Sequence, residues 1–235
     1  MIQLKTVCKN YSRCGQSLTA FRCDSLTIER GEYIAIVGPS GSGKTTLLSL
    51  LGGMLSPTSG RVIIDGVSLY EQSIARRSAI RGEKMGFVFQ SFNLIPYLSA
   101  IQNVQVPLSF STLPADVQQG RASELLGRLG LSERLHHKPS ELSIGQQQRV
   151  ALARTLVNDP QIILADEPTG NLDPISREVV LDTFDGCHQQ GRTLVVVTHD
   201  PSVAQRATRC LTLIEGVLVE SADTALMPSR HVTAA

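Results

Sequence analysis

A glycine-rich stretch set between an apolar run and a helix-forming run constrains this chain most. Gly38-Pro39-Ser40-Gly41-Ser42-Gly43-Lys44-Thr45 satisfies the pattern G-x-x-x-x-G-K-[ST], and Thr46 follows it. Upstream, residues 33–37 (YIAIV) are a short run of strand type; downstream, residues 44–51 (KTTLLSLL) are good helix formers that stop at Gly52-Gly53. Strand, glycine turn and helix in that order make a backbone cradle for phosphate. The glycines let successive N–H groups curl toward one anion, and the helix N-terminus adds its partial positive charge. In such a cradle Lys44 would reach the β- and γ-phosphates as a point charge, and Thr45 would offer its hydroxyl to Mg2+. The competing reading is a glycine-rich turn with a chance lysine, and it carries less weight once the flanks are counted.

The rest of the chain supplies a frame for this loop. Residues 2–8 and 18–30 alternate as strands, with 12–17 as the turn between them. Residues 61–66 read as a strand ending at a turn, 70–82 as a short helix and 85–90 as a further apolar strand. From 91 to 158 helical spacing takes over, as in Ala122, Leu125, Leu126 and Leu129 and again Val150, Leu152, Ala153 and Leu156. Residues 161–165 and 193–198 are continuous apolar runs, the mark of strands buried on both faces of a parallel sheet, with 176–187 as the crossover helix. Residues 210–214 and 217–219 straddle Glu215-Gly216 as a closing hairpin. The expected fold is α/β: a phosphate-loop core, an antiparallel β-subdomain from the N-terminal strands, and an inserted helical subdomain over 91–158. Residues 1–222 form one domain in this reading, and the small, polar 223–235 should fray.

The second chemical feature is a buried strand that ends in two carboxylates, Ile163-Leu164-Ala165-Asp166-Glu167-Pro168. Brought beside the phosphate loop, Asp166 suits Mg2+, because a hard cation takes oxygen ligands. Glu167 can then activate a water for in-line attack on the γ-phosphate. Without a phosphate loop upstream, a strand cap at the start of a turn would explain Asp-Glu-Pro equally well.

With these residues in view the chain resembles the ATP-binding subunits of ABC transporters. Glu141-Leu142-Ser143-Ile144-Gly145-Gln146 is similar to the family signature, normally LSGGQ, and lies shortly before the acidic strand. Gln90 matches the family's Q-loop, Asn171-Leu172-Asp173 its D-loop and His199 its switch histidine. The resemblance covers residues 1 to about 220. Residues 86–108 (GFVFQSFNLIPYLSAIQNVQVPL) and 165–173 (ADEPTGNLD) resemble the lipoprotein-release and macrolide-export subgroup.

That resemblance implies an ABC ATPase core that binds ATP and Mg2+ between two copies of the chain. It implies that Ser143, Gly145 and Gln146 of one copy meet the γ-phosphate held by the other. It implies that Thr45, Gln90 and Asp166 serve the metal, that Lys44, Gln90, Glu167 and His199 serve catalysis, and that Tyr11 stacks on adenine. It also implies an integral membrane permease docking near 92–98, leaves room for a periplasmic adaptor, and places the chain in the cytoplasm, peripheral on the membrane through that permease. Each motif keeps a plainer reading beside this one. Ser143-x-x-Gln146 opening an apolar-periodic helix is a capping box in its own right. His199 and Tyr11 would serve as ordinary structural residues, and Phe92, Leu94, Ile95, Tyr97 and Leu98 would pack within the helical subdomain. Ile144 stands where the signature usually has glycine, and its β-branched side chain restricts the backbone there.

Composition narrows the partners. Twenty-two basic residues against 21 acidic ones give no electrostatic footprint for nucleic acid. This weakens the rival reading of a non-transport ABC ATPase acting on DNA or the ribosome, as do the single cassette and the short span from phosphate loop to signature. Cys8, Cys14, Cys23, Cys187 and Cys210 are odd in number and scattered, so reduced thiols in an intracellular chain are expected. No apolar run approaches the length of a membrane span, and the first residues read as a strand rather than a signal peptide.

Overall fold

A computed structural model describes residues 1–13 and 16–220. The chain opens with β1 (Ile2–Arg13), β2 (Gln16–Ile28) and β3 (Tyr33–Val37), then α1 (Lys44–Leu51), β4 (Ser59–Ile64) and β5 (Val67–Ser68). Next come α2 (Ile74–Lys84), β6 (Met85–Val88), α3 (Ala100–Gln105), α4 (Ala115–Arg128) and α5 (Ile144–Leu156). It closes with β7 (Ile162–Asp166), α6 (Pro174–Gln189), β8 (Thr193–Thr198), α7 (Pro201–Arg206), β9 (Arg209–Ile214) and β10 (Val217–Glu220).

Among the described residues the strands form one sheet in the order β5-β4-β1-β2-β10-β9-β3-β8-β7-β6. From β9 to β6 every pairing is parallel; from β5 to β2 every pairing is antiparallel. The α/β expectation, with its antiparallel β-subdomain, therefore holds. The strand pair at the start runs further than the alternation implied. Pairing continues through Arg13 and Gln16, so only Cys14 and Gly15 of the expected 12–17 turn are left, and they lie outside the described residues. The expected fraying of 223–235 also lies outside them. The expected helix at 70–82 begins with a 3-10 turn at Leu69–Glu71 and becomes α2 only after Ser73 caps it.

The apolar runs of the parallel strands are buried on both faces, and alternate residues serve two different cores. Tyr33, Val88, Ile163, Ala165, Leu194 and Val196 pack with α3, α4, α5, α6 and α7. Ile34, Ile36, Ile162, Leu164, Val195 and Val197 pack with α1, α2 and the antiparallel strands. The inserted segment is helical, as its spacing predicts, and shares the first core with the sheet instead of forming one of its own. Burying each large aliphatic side chain contributes roughly 1.5–3 kcal/mol, so this shared core anchors the insert firmly. Cys8, Cys23, Cys187 and Cys210 are free thiols, as expected; Cys14 lies outside the described residues.

Candidate active site

Strand order decides which loops meet. β3, β8, β7 and β6 are consecutive neighbours and all run the same way, so the segments following them emerge along one edge. Those segments are the phosphate loop, His199, Asp166-Glu167 and Gln90. Sites in open parallel sheets form beyond the carboxyl ends of the strands, and here the candidate residues are gathered there from four separate parts of the sequence.

The phosphate loop is held by backbone from three directions. A Cβ on Gly38 would come within 2.2 Å of the Leu213 carbonyl oxygen, and one on Gly43 within 2.2 Å of the Ala20 carbonyl oxygen. Ala20 sits in a β-bulge, where the β1–β2 register steps from Lys9↔Phe21 to Asn10↔Thr19. Gly216 N–H donates to Ser42 O at 3.0 Å, and Arg22 N–H donates to Gly216 O at 2.6 Å. Gly43 also has φ +101°, a left-handed conformation, so glycine is required there for both space and backbone angle. Side chains of Ser73, Ser99, Ser143, Asp173 and Asp200 cap α2, α3, α5, α6 and α7. In contrast, α1 starts at Gly43 with no side-chain cap and no acidic residue in its first turn. Its leading N–H groups are thereby free for an anion.

Lys44 is buried, and its Nζ donates to Gly38 O at 2.8 Å and Pro39 O at 3.0 Å, with Glu167 Oε1 4.0 Å away. Thr45 Oγ1 donates to Asp166 Oδ2 at 2.8 Å. Burial raises the Asp166 carboxyl above its ordinary range against the Thr45 bond, and the neighbouring Glu167 charge adds to the rise. A hydroxyl and a desolvated carboxylate, side by side, make an all-oxygen half-site that fits Mg2+ with phosphate oxygens completing the shell. Among the described residues no group of three His, Cys, Asp or Glu side chains could hold a metal on its own, so substrate oxygens would be needed.

Glu167 has φ +47°, a left-handed backbone in a residue with a side chain, immediately before Pro168. Such a conformation costs about 1–3 kcal/mol and persists only where its surroundings fix it. Here Glu167 N–H donates to Val197 O at 2.9 Å, His199 N–H donates to Glu167 Oε2 at 3.2 Å, and His199 Nδ1 lies 2.9 Å from that same oxygen. The carboxylate is thus aimed at the phosphate-loop lysine and the histidine together.

Gln90 is exposed and lies against Gly170 in the loop that follows Glu167, with Nε2 about 3.5 Å from where a Cβ on Gly170 would stand. None of the phosphate-loop hydrogen bonds among the described residues involves the side chains of Ser143 or Gln146. Ser143 and Gln146 form the capping box their spacing predicted, while Gly145 packs on Ser176 at the start of α6. Ile144 opens α5 with an ordinary helical backbone and its side chain half exposed, so the position does not need a glycine. Tyr11 lies on β1 opposite Leu18, just past the bulge, with Lys9 Nζ 5.3 Å from its ring centroid. The segment after Gln90 divides. Phe92 and Leu94 pack on the helical core, while Tyr97 is 74% exposed.

Two supporting residues escaped the sequence reading. Gln148, fully buried on α5, donates from Nε2 to Pro168 O at 2.6 Å, directly behind Glu167. Asn103, fully buried on α3, donates to the carbonyls of Ile95, Leu98 and Ser99 and accepts from Ile95 N–H. A polar residue standing at a core phase of an apolar-periodic helix was the available signal for both.

A family model described as ABC transporter matches residues 21–170. An uncharacterized ABC transporter ATP-binding protein of Thermotoga maritima is 46% identical over 223 residues, 95% of each chain. The macrolide export ATP-binding/permease protein MacB of Hyphomonas neptunium is 46% identical over 219 residues, which are 93% of this chain and 34% of that one. This chain therefore spans about a third of the macrolide export protein. Among solved structures, a dimeric, post-hydrolysis state of the ATP-binding cassette MJ0796 bound to ADP and Pi superposes with a TM-score of 0.88 at 41% identity, covering 94% of this chain and 98% of that one.

Proposed function

The chain belongs to the ABC transporter family, and from that premise we propose that it is the ATP-hydrolysing subunit that dimerises around two MgATP to drive a separate membrane permease. The observation that carries this reading is the convergence of the phosphate loop, Asp166-Glu167, His199 and Gln90 at the ends of four adjacent parallel strands.

Each residue has a task in this reading. The loop amides of residues 38–46 and Lys44 hold the phosphates, and Tyr11 stacks on adenine. Lys44 exchanges its bonds to Gly38 O and Pro39 O for phosphate oxygens. Thr45, Asp166 and Gln90 hold the Mg2+, which when bound neutralises charge on the β- and γ-phosphates. Glu167 accepts a proton from the attacking water as the new P–O bond forms in line and the bond to the ADP oxygen breaks. His199, already bonded to Glu167, keeps that carboxylate aimed and steadies the γ-phosphate. A positioned base of this kind is worth roughly 10²–10⁴ in rate.

The second copy contributes Ser143, Gly145 and Gln146. The Ser143 hydroxyl accepts from Gln146 N–H at 3.2 Å, which leaves its proton free to donate to a phosphate oxygen. Residues 92–98 form the permease face, with Tyr97 outermost, in the helix-in-groove manner. The likeness to the macrolide export protein supports an export or force-transmitting permease in a transenvelope machine, with a periplasmic adaptor as a further partner. No helix of the described residues is long and apolar enough to cross a membrane, which fits a subunit held at the cytoplasmic face by its permease. The DNA or ribosome alternative gains no support, because the span from phosphate loop to signature folds as short strands and helices and carries no long coiled coil.

Glu167→Gln tests the assignment. Turnover should fall by about 10²–10⁴ while ATP binding persists, and the protein should run as an ATP-dependent dimer in size exclusion with light scattering. Turnover within a few-fold of the parent would remove Glu167 from the role of base.

A further inference from the structure

The α5 helix reaches more of this site than its signature end. Gly145 packs on the start of α6, Gln148 holds Pro168, and at the far end Arg154 forks onto the segment behind Gln90. Arg154 NH1 donates to Asn93 O and NH2 to Phe92 O, each at 2.6 Å. Phe92 and Asn93 have φ +58° and +49°, two successive non-glycine residues in the left-handed region. At about 1–3 kcal/mol each, that conformation needs an external hold, and the two carbonyls it presents are the ones Arg154 takes. Among the described residues no carboxylate is paired with this guanidinium in an ion pair. Its burial works against its charge. A desolvated cation satisfied by strained carbonyls rather than by an acid is poorly explained as a stability device.

We propose that Arg154 is a positioning residue that couples the placement of α5 to Gln90 and to the half-buried segment that carries the exposed Tyr97. The inference rests on the ATPase reading above, because α5 is displaced only if its N-terminus meets nucleotide across a dimer. When that end shifts, the fork carries Phe92 and Asn93 with it. The flanking Gln90 then changes its approach to the metal side of the site while Tyr97 changes its presentation to the permease. Lysine cannot substitute, since its ammonium is a point donor without the planar fork that spans two carbonyls.

The chain contains no tryptophan, so Tyr97→Trp installs a single tryptophan, excitable at about 295 nm apart from the tyrosines, on the outer face of this segment. In a Glu167→Gln background, MgATP should change its emission. Arg154→Lys should cut that amplitude by at least about fivefold, while ATP affinity stays within about threefold of the Arg154 parent. Arg154→Ala should do the same or more, but it empties a partly buried site, so the lysine variant, which keeps the stem and charge, is the arm that is read. An undiminished emission change in a folded Arg154→Lys variant overturns the inference. So does a parent that binds ATP with no emission change, and so does loss of folding in the lysine variant, which would make Arg154 an anchor of the fold. A parent that binds no ATP overturns the ATPase reading and this inference with it.

Discussion

Gly145→Ala isolates the contact on which the signature helix rests. Alanine in place of glycine within a helix ordinarily stabilises by up to about 1 kcal/mol. Here the new Cβ would lie 1.9 Å from Ser176 Oγ and 2.7 Å from Ser176 Cβ. Rotating the hydroxyl relieves the first clash and leaves the second, so the start of α5 or of α6 must move. Overpacking of this kind costs about 1–3 kcal/mol. At roughly 2–4 °C per kcal/mol for a chain of this size, the melting temperature should fall by about 2–12 °C. Ser176→Gly removes both clashing atoms, so Gly145→Ala should be nearly neutral in that background. A cycle of four proteins, melted in denaturant, should therefore show a coupling of at least about 1 kcal/mol between the two positions. ATP turnover should fall with Gly145→Ala, since displacing α5 disturbs Ser143 and Gln146. Additive effects, or a more stable Gly145→Ala protein, would refute the steric reasoning outright.

Two further outcomes are expected. Lys44→Ala removes a charged donor from the loop; at about 1.5–3 kcal/mol for a charge-assisted bond, ATP affinity measured by calorimetry should fall at least about tenfold. The fold should be retained, because the backbone contacts from Ala20, Leu213 and Gly216 do not involve that side chain. Asp65 lies among the Met1 amino group, Arg30 and Lys84. Burial pushes its carboxyl up, but those bonds together outweigh burial and hold it well below the usual carboxylate range. A depressed acid contributes stability that is present above its unfolded value and lost as pH falls below it. Asp65→Asn should therefore destabilise at pH 7 by on the order of 1–3 kcal/mol, discounted for the exposure of Arg30. The gap in unfolding free energy should narrow below about pH 4; a gap that widens on acidification would contradict the assignment.

What could be read from residues alone tracks how local the cause is. The phosphate loop was legible because its flanks, glycines and lysine all lie within residues 33–51. The parallel strands were legible because burial on both faces leaves an unbroken apolar run. Ser143-x-x-Gln146 was legible as a cap, and the cap is there. The extent of the β1–β2 ribbon was not, because pairing across a polar turn is fixed by the partner strand and not by alternation. The need for glycine at Gly145 was hidden too: it depends on Ser176, a neighbour only in the folded chain. The apolar segment 92–98 could not be divided into inward and outward residues until Asn103 and Arg154 were seen to fix its backbone.

The walls of the phosphate loop have a bearing on how the chain is made. Its glycines are synthesised early, but the Leu213 carbonyl that crowds Gly38 and the Gly216 amide that bonds Ser42 O both belong to the β9–β10 hairpin. β3 itself is flanked by β8 and β9, both late in the sequence. Contacts so distant along the chain close slowly and only after both ends exist. A nascent chain therefore has the loop's sequence long before it has the loop's shape, and nucleotide should stabilise ribosome-bound intermediates only once residue 216 has emerged. Competence to bind then requires the chain through residue 216, and products truncated before it should lack a shaped loop.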